Sequence, residues 1–173
     1  VVLCKDQQSA QEALGKIQQW MDDARLTLHP EKTKVGTMIE PGDHFDFLGY
    51  RFWITQKRKL TRLVRPKSLG KLRAKLKAYT KRCNGRSLRE IAAKIKPILR
   101  GWHEYFKHAS RIVGEEIDRM VRARVRAILR ERRGGKGRAR GRDHTRWPNR
   151  YFDQLGFYSL VAARRTESSN LSN

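Results

Sequence analysis

The sequence predicts an α+β fold, in which a strand–helix–hairpin region precedes a basic, mainly α-helical bundle and a small helical tail. Short apolar and aromatic runs between turn residues occupy residues 1–65, and apolar residues at helical spacing follow from 66 to 133. Charge divides the chain at nearly the same place. Residues 1–60 carry nine Lys and Arg against eight Asp and Glu, whereas residues 61–173 carry thirty-one against nine.

The formal net charge of +23 indicates a nucleic-acid partner. A membrane-surface protein is the weaker alternative, and no stretch is long and apolar enough to span a bilayer. We therefore expect no membrane partner. Cys4 and Cys83 form no CxxC pair. They suggest a reduced, cytoplasmic setting, which the family resemblance described below would make bacterial.

The first predicted elements are a buried strand at 1–5 and an amphipathic helix. The helix is expected to start at Ser9, which forms a capping box with Glu12, and to end at Pro30. Because the chain opens in what looks like the middle of a strand, we expect a fragment of a longer protein.

Extended structure is predicted next, at 34–39, at 45–52 with the sequence FDFLGYRF, and at 60–64 after a turn. The glycine within FDFLGYRF could let a nucleic-acid backbone approach closely, and a strand buried on both sides explains the residues equally well. Exposed edges at 1–4 and 45–54 predict dimerisation or poor solubility.

Three basic helices are predicted after residue 66. The first ends at Asn84-Gly85, and the second begins with a capping box of Ser87 and Glu90. Pro97 is expected to kink or split the second helix. The third runs over 114–133 and places arginines at steps of three or four residues opposite its apolar face. Few acids balance them, so we interpret this stripe as a phosphate-binding surface rather than a solvated face.

The remaining segments are predicted to be a basic flexible linker at 134–143, a small basic helical segment at 144–166 and a disordered tail at 167–173. Within the second segment, a helix opens at Trp147-Pro148 and closes at Gly156.

No metal site is predicted. The five histidines do not pair with cysteines or carboxylates at ligand spacing, and His103 and His108 match HExxH poorly. Asp22-Asp23 lies on a helix, where neighbouring side chains diverge, so a solvated face is the expected role. Trp102 and Phe106, four residues apart, are expected to be core residues rather than platforms for RNA bases.

The order of motifs resembles the C-terminal part of bacterial group II intron-encoded reverse transcriptase/maturases. VVLCKD and LTLHPEKTKV resemble the palm segment that follows that family's YADD motif, and FDFLGYRF resembles its primer-grip hairpin. SLREIAAKIKPILRGWHEYF resembles the maturase-specific thumb, called domain X, and WPNRYFDQLGFYSLVAAR is similar to the end of that region. The resemblance implies a partial palm at 1–65 and a thumb at 66–133.

By this resemblance, Phe47, Leu48, Gly49 and Tyr50 form a primer-grip turn. Lys32 or Lys34 would lie near an incoming triphosphate. The expected partners are group II intron RNA, a template–primer RNA/DNA duplex and an N-terminal reverse transcriptase fragment. The cations expected to contact RNA are Lys71, Lys75, Arg82, Arg86, Arg100, Arg119, Arg122, Arg126, Arg130, Arg133, Lys136, Arg138, Arg140 and Arg142.

The YADD aspartates, which bind Mg²⁺ in the intact polymerase, are not in this sequence. Two-metal phosphoryl transfer needs such carboxylates. We therefore expect no catalytic residue, no bound cofactor and no polymerase activity from this chain alone, although the family is one of RNA-directed DNA polymerases. The alternative is a stand-alone basic nucleic-acid-binding protein without an enzymatic role, and a ribosome-associated basic protein fits less well.

Overall fold

The computed structural model describes residues 1–83, 85–110 and 112–170, and divides the chain into two compact units, 1–61 and 62–173. Seven helices and one three-stranded antiparallel sheet appear in the described residues, which confirms the α+β prediction. The division falls four residues before the palm–thumb boundary expected at residue 65.

The first unit opens without regular structure, so the strand predicted at 1–5 is wrong. Helix α1 spans Gln7–Asp23, and the Asp6 carboxylate caps it by accepting the backbone N–H of Ser9 at 2.7 Å. The capping residue is therefore Asp6 and not Ser9. The helix ends at Asp23, well before Pro30, and Arg25 just after it adopts a φ of 56°.

None of the residues of α1 is buried. Ile17 and Trp20, which belong to its predicted apolar face, are exposed. The stretch at 34–39 forms no strand.

The predicted strand FDFLGYRF is two strands joined by a tight turn. Strand β1, His44–Phe47, pairs antiparallel with β2, Tyr50–Ile54, and Phe47 lies opposite Tyr50. Leu48 and Gly49 form the two-residue loop with φ values of 47° and 83°. Positive φ at both loop positions is typical of a type I′ turn, whose twist suits a hairpin. The hairpin implied by the family resemblance is thus correct, and the single strand is not.

Cross-strand pairs hold this hairpin. Phe45 and Phe52 stack with ring centroids 4.9 Å apart. Next to them, Arg51 donates two hydrogen bonds to the Asp46 carboxylate, at 2.8 and 3.1 Å. Directly opposed aromatic and oppositely charged pairs each stabilise an antiparallel sheet by about 0.2–1 kcal/mol. Strand β3, Leu60–Val64, follows β2 in the sheet.

Three long helices form the second unit, as predicted: α2, Pro66–Tyr79; α3, Leu88–Phe106; and α4, Ile112–Glu131. The capping box of α3 is present, since Ser87 and Glu90 exchange hydrogen bonds of 3.2 and 2.7 Å. The helices bury leucine, isoleucine and valine at helical spacing against residues of the tail. The cluster contains Leu72, Leu76, Leu88, Ile91, Ala92, Ile95, Leu99, Ile117, Val121, Val125, Ile128, Trp147, Phe152, Phe157 and Leu160.

Helix α3 runs through Pro97 without a break, contrary to the expected split. Proline cannot donate to the carbonyl of Ala93, but both residues are exposed. Water can therefore satisfy that carbonyl, which removes most of the reason for the helix to end.

The tail packs onto the bundle through α5, Arg142–Arg146; α6, Asn149–Gln154; and α7, Leu160–Asn170. Helix α6 ends before Gly156, as predicted, and α7 was not predicted. Residues 167–170 of the expected disordered tail are helical, and 171–173 lie outside the described residues.

The N-terminus of α7 is capped from another helix. The buried Asp118 of α4 accepts hydrogen bonds from Ser159 Oγ at 2.6 Å and from the backbone N–H groups of Leu160 and Val161 at 3.0 and 3.2 Å. These bonds satisfy donors that a helix N-terminus leaves unpaired. They fasten the tail to the bundle.

Candidate nucleic-acid interface

Most of the cations that were expected to bind RNA lie at the surface of the second unit. They come from α2, the loop after it, α3, α4 and the segment that leads to α5. The exposed members of the set are Lys71, Lys75, Arg82, Arg86, Arg100, Arg119, Arg133, Lys136, Arg138, Arg140 and Arg142.

Arg126 is an exception, because it is only 6% exposed. Its Nε donates to the carbonyl of Trp147 at 2.9 Å, its Nη2 donates to Oδ1 of Asn149 at 2.8 Å, and its guanidinium lies 4.9 Å from the centre of the Phe152 ring. Burial lowers the pKa of this guanidinium, and the nearby Arg122 charge lowers it further. Arg126 therefore joins α4 to the tail and does not offer its charge to RNA.

Arg130 is also turned toward the protein. Its Nε donates to the carbonyl of Lys136 at 2.9 Å, and its Nη1 lies 2.6 Å from Oδ2 of Asp143. The same carboxylate oxygen accepts the backbone N–H of Arg140 at 3.1 Å. Arg130 of α4 is thus bonded to Lys136 and Asp143, two residues of the basic segment 134–143 that was predicted to be a flexible linker. The flexibility of that segment stays a prediction.

Arg122 is half-buried and lies 4.0 Å from Asp118, measured from Nη1 to Oδ2. Of the predicted arginine stripe, Arg119 on α4 and Arg133, two residues after the end of α4, remain as exposed cations. The helical spacing of the arginines is real, but it does not separate those that face solvent from those that pack against the tail.

Arg124 was missed by the sequence analysis. Its Nε donates to Thr80 Oγ1 at 2.6 Å, and its Nη2 donates to the carbonyls of Thr80 and Lys77 at 3.0 and 3.2 Å. The guanidinium thereby satisfies carbonyls at the C-terminal end of α2. Burial is the main cause that lowers the pKa of Arg124, with repulsion from Arg82 second.

A groove lies between the C-terminal end of α2, one side of α4 and the start of α5. Its volume is about 460 Å³. We call it the α2–α4 groove. Its charged and polar lining residues are Lys77, Thr80, Arg82, Glu116, Arg119, Arg124, Arg138 and His144, and its apolar lining residues are Met120, Ala123, Ala127 and Ala139.

One face of the RGWHEYF stretch of α3 packs inward, where His103 and Phe106 are buried and Trp102 is half-buried, whereas Arg100, Gly101, Glu104 and Tyr105 are exposed. Trp102 and Phe106 pack with ring centroids 5.0 Å apart, and Phe106 and His103 are buried, which confirms the core interpretation. His103 Nε2 lies 3.2 Å from Oε1 of Glu167 without hydrogen-bond geometry, and neither it nor Trp102 Nε1 has a hydrogen-bond partner within the described residues. A cavity of about 30 Å³ beside them has room for one water molecule.

The sites expected in the first unit are solvent-accessible. Phe47 and Leu48 are exposed, whereas Gly49 and Tyr50 are half-buried. The last residue of β1 and the first residue of the loop are therefore the turn residues most accessible to a ligand. Lys32 and Lys34 are exposed in a segment without helix or strand.

The described residues show neither a cluster of metal ligands nor a membrane-spanning helix. These residues contain no group of three or more His, Cys, Asp or Glu that could hold a metal ion. None of the described helices combines the length and the apolar character needed to cross a bilayer. Cys4 and Cys83 are both exposed and unbridged.

Part of the second unit is similar to a known family. Residues 69–147 match the family described as group II intron, maturase-specific domain. The matched range starts in α2, includes α3 and α4, and ends at Trp147 after α5, so it contains every residue that lines the α2–α4 groove. A comparison with curated proteins gave no significant match.

Proposed function

We propose that the chain binds group II intron RNA through the exposed cations of its second unit, because residues 69–147 match the family of group II intron maturase-specific domains. Domains of this family act in the splicing of group II introns. The RNA contact itself is our inference. It rests above all on one observation: eleven of the fourteen cations that were predicted from the sequence to contact RNA are exposed. They lie in the unit that carries nearly all of the net charge.

Such a surface suits structured RNA. Duplex RNA offers side chains its phosphates and 2′-hydroxyls across a shallow minor groove, and arginine and lysine bind these groups without reading sequence. Specificity for the intron would then depend on the arrangement of the cations and on unpaired nucleotides.

We further propose that the chain is the C-terminal part of a bacterial, cytoplasmic reverse transcriptase/maturase. LHPEKTKV and FDFLGYRF support this, since they resemble the end of that family's palm, and the tight turn at Leu48–Gly49 suits a primer-grip hairpin. A template–primer duplex would be the second ligand. Mg²⁺ and polymerase chemistry would depend on aspartates that this sequence does not contain.

The test is a competition between structured group II intron RNA and an unrelated duplex RNA of equal length for the purified chain, repeated across a salt series. We expect affinity for both RNAs to fall steeply with salt, because each phosphate contact releases counterions. We also expect the intron RNA to compete better at moderate salt. Equal competition would overturn intron recognition and leave a general nucleic-acid-binding protein.

A further inference from the structure

The α2–α4 groove combines a cationic rim with an apolar floor. Lys77, Arg82, Arg119 and Arg138 contribute charge around it, and Met120, Ala123, Ala127 and Ala139 supply apolar surface. A site that bound only the phosphates of a regular duplex would have no use for that floor. The combination suits a ligand that carries negative charge on one side and a flat, weakly polar body on the other.

We propose that the α2–α4 groove binds one unpaired nucleotide of the RNA, with its base against the apolar floor and its flanking phosphates at the cationic rim. This proposal rests on the proposed function, and it adds a site that distinguishes bulged or looped RNA from a continuous duplex. Sequence-specific proteins commonly read RNA at loops and bulges, where bases are splayed out of the helix.

The size of the groove fits this ligand. Its volume of about 460 Å³ lies within the range of roughly 300–1,000 Å³ that is usual for small-molecule sites. Arg119, Arg124 and Arg138 also line it, and guanidinium groups can stack on a base as well as bind phosphate. Glu116 is the one carboxylate among the described lining residues, and it forms an ion pair with Arg73, so its repulsion of phosphate is reduced.

The walls of the groove are held before any ligand arrives. Arg124 fixes the end of α2 through three hydrogen bonds to Thr80 and Lys77. On the other side, Arg130 holds the segment that carries Arg138 and Ala139 by bonding to Lys136 and Asp143. A site whose walls need no ordering on binding loses less entropy when the ligand enters.

The first experiment uses two RNA hairpins that differ by one bulged nucleotide in an otherwise identical stem. We expect the 173-residue chain to bind the bulged hairpin more tightly, by roughly tenfold, a typical gain for stacking one base. Equal affinity for the two hairpins would overturn the proposal, because a purely phosphate-binding groove gains nothing from the bulge.

Variants then locate the effect. Ala123→Leu fills the floor without adding charge or an aromatic ring that could itself stack on a base. Ala93→Leu is the matched control, since Ala93 is likewise an exposed helical alanine but does not line the groove. We expect A123L to lose the preference for the bulge and A93L to keep it. Preservation of the preference in A123L would contradict the proposal.

A measurement on the unaltered chain avoids any effect of the substitution on folding. With 4-thiouridine at the bulge, irradiation should crosslink the RNA to peptides from 77–82, 116–127 or 138–144, which carry the residues that line the groove. Crosslinks confined to other peptides would overturn the groove assignment. The competition with intron RNA separates the proposed function from the proposed nucleotide site. If the chain prefers intron RNA but binds the two hairpins equally, the proposed function stands and the nucleotide site is wrong.

Discussion

Arg130 and Asp143, thirteen residues apart in sequence, form an ion pair in which Nη1 and Oδ2 are 2.6 Å apart. Asp143 also accepts the backbone N–H of Arg140. These bonds hold the pKa of the Asp143 carboxyl below its usual 3.8, with the Arg140 backbone bond the largest cause. One carboxylate thus holds the basic segment after α4 in place.

This pair predicts a pH dependence of stability. A carboxyl whose pKa is lowered on folding stabilises the protein fully above its unfolded pKa, and this contribution is lost as pH falls through the folded pKa. We expect thermal melts to show that wild type and Asp143→Asn converge in stability as pH falls from about 5 toward 2. Comparing the two proteins at each pH cancels the contributions of Asp6, Asp43 and Glu90, whose pKa values are also lowered. A constant difference would contradict the prediction.

Arg126 and Arg119 should differ in how much they contribute to the stability of the fold. Arg126→Met leaves the Trp147 carbonyl without its buried donor, so we expect a loss of roughly 1–3 kcal/mol in the free energy of unfolding. Arg119→Met, at an exposed site of the same helix, should change it by less than about 0.5 kcal/mol. Urea denaturation measures both. Equal destabilisation would argue against the observed division of the α4 arginines.

The exposed arginines, which contribute little to stability, should contribute to RNA affinity. Arg119→Met and Arg138→Met are each expected to weaken binding of intron RNA and to reduce the slope of log K against log salt by about 1. Lys16→Gln, an exposed cation of α1 outside the predicted contact set, serves as the control. An unchanged slope in both arginine variants would remove those residues from the interface.

The hairpin turn gives a separate prediction for the first unit. Gly49→Ala should destabilise the hairpin by roughly 1 kcal/mol, because Gly49 has a φ of 83°, which an alanine adopts only with strain. Leu48→Asn should be neutral or stabilising, since asparagine tolerates the φ of 47° at that position. Hydrogen exchange of the β1 and β2 amides measures both effects. Faster exchange in L48N than in G49A would contradict this order.

The three long helices could be predicted because their apolar periodicity matches the core that forms. The strand at 1–5 could not, since an apolar run becomes a strand only when a partner pairs with it. The turn within FDFLGYRF was hidden because leucine is unusual at positive φ. Arg124 did carry a signal, since it lies three residues after Val121 and four before Ile128, both buried.

The placement of Arg126 and Arg130 could not be read from the helix alone. Both lie on positions that periodicity assigns to the polar face. Their acceptors, on Trp147, Asn149, Lys136 and Asp143, come from segments that follow α4 in the chain. A helical pattern shows which residues avoid the core, but not which later segment will pack over them.

The family match ends at Trp147, yet the core does not. Phe152, Phe157 and Leu160 are buried in the same cluster as the bundle helices, and Asn149 accepts a bond from Arg126. The sequence that matches the family and the buried core therefore have different C-terminal boundaries. An expression clone cut at 147 would preserve the recognised sequence while exposing part of its core, and the smallest autonomous piece should extend at least through α7.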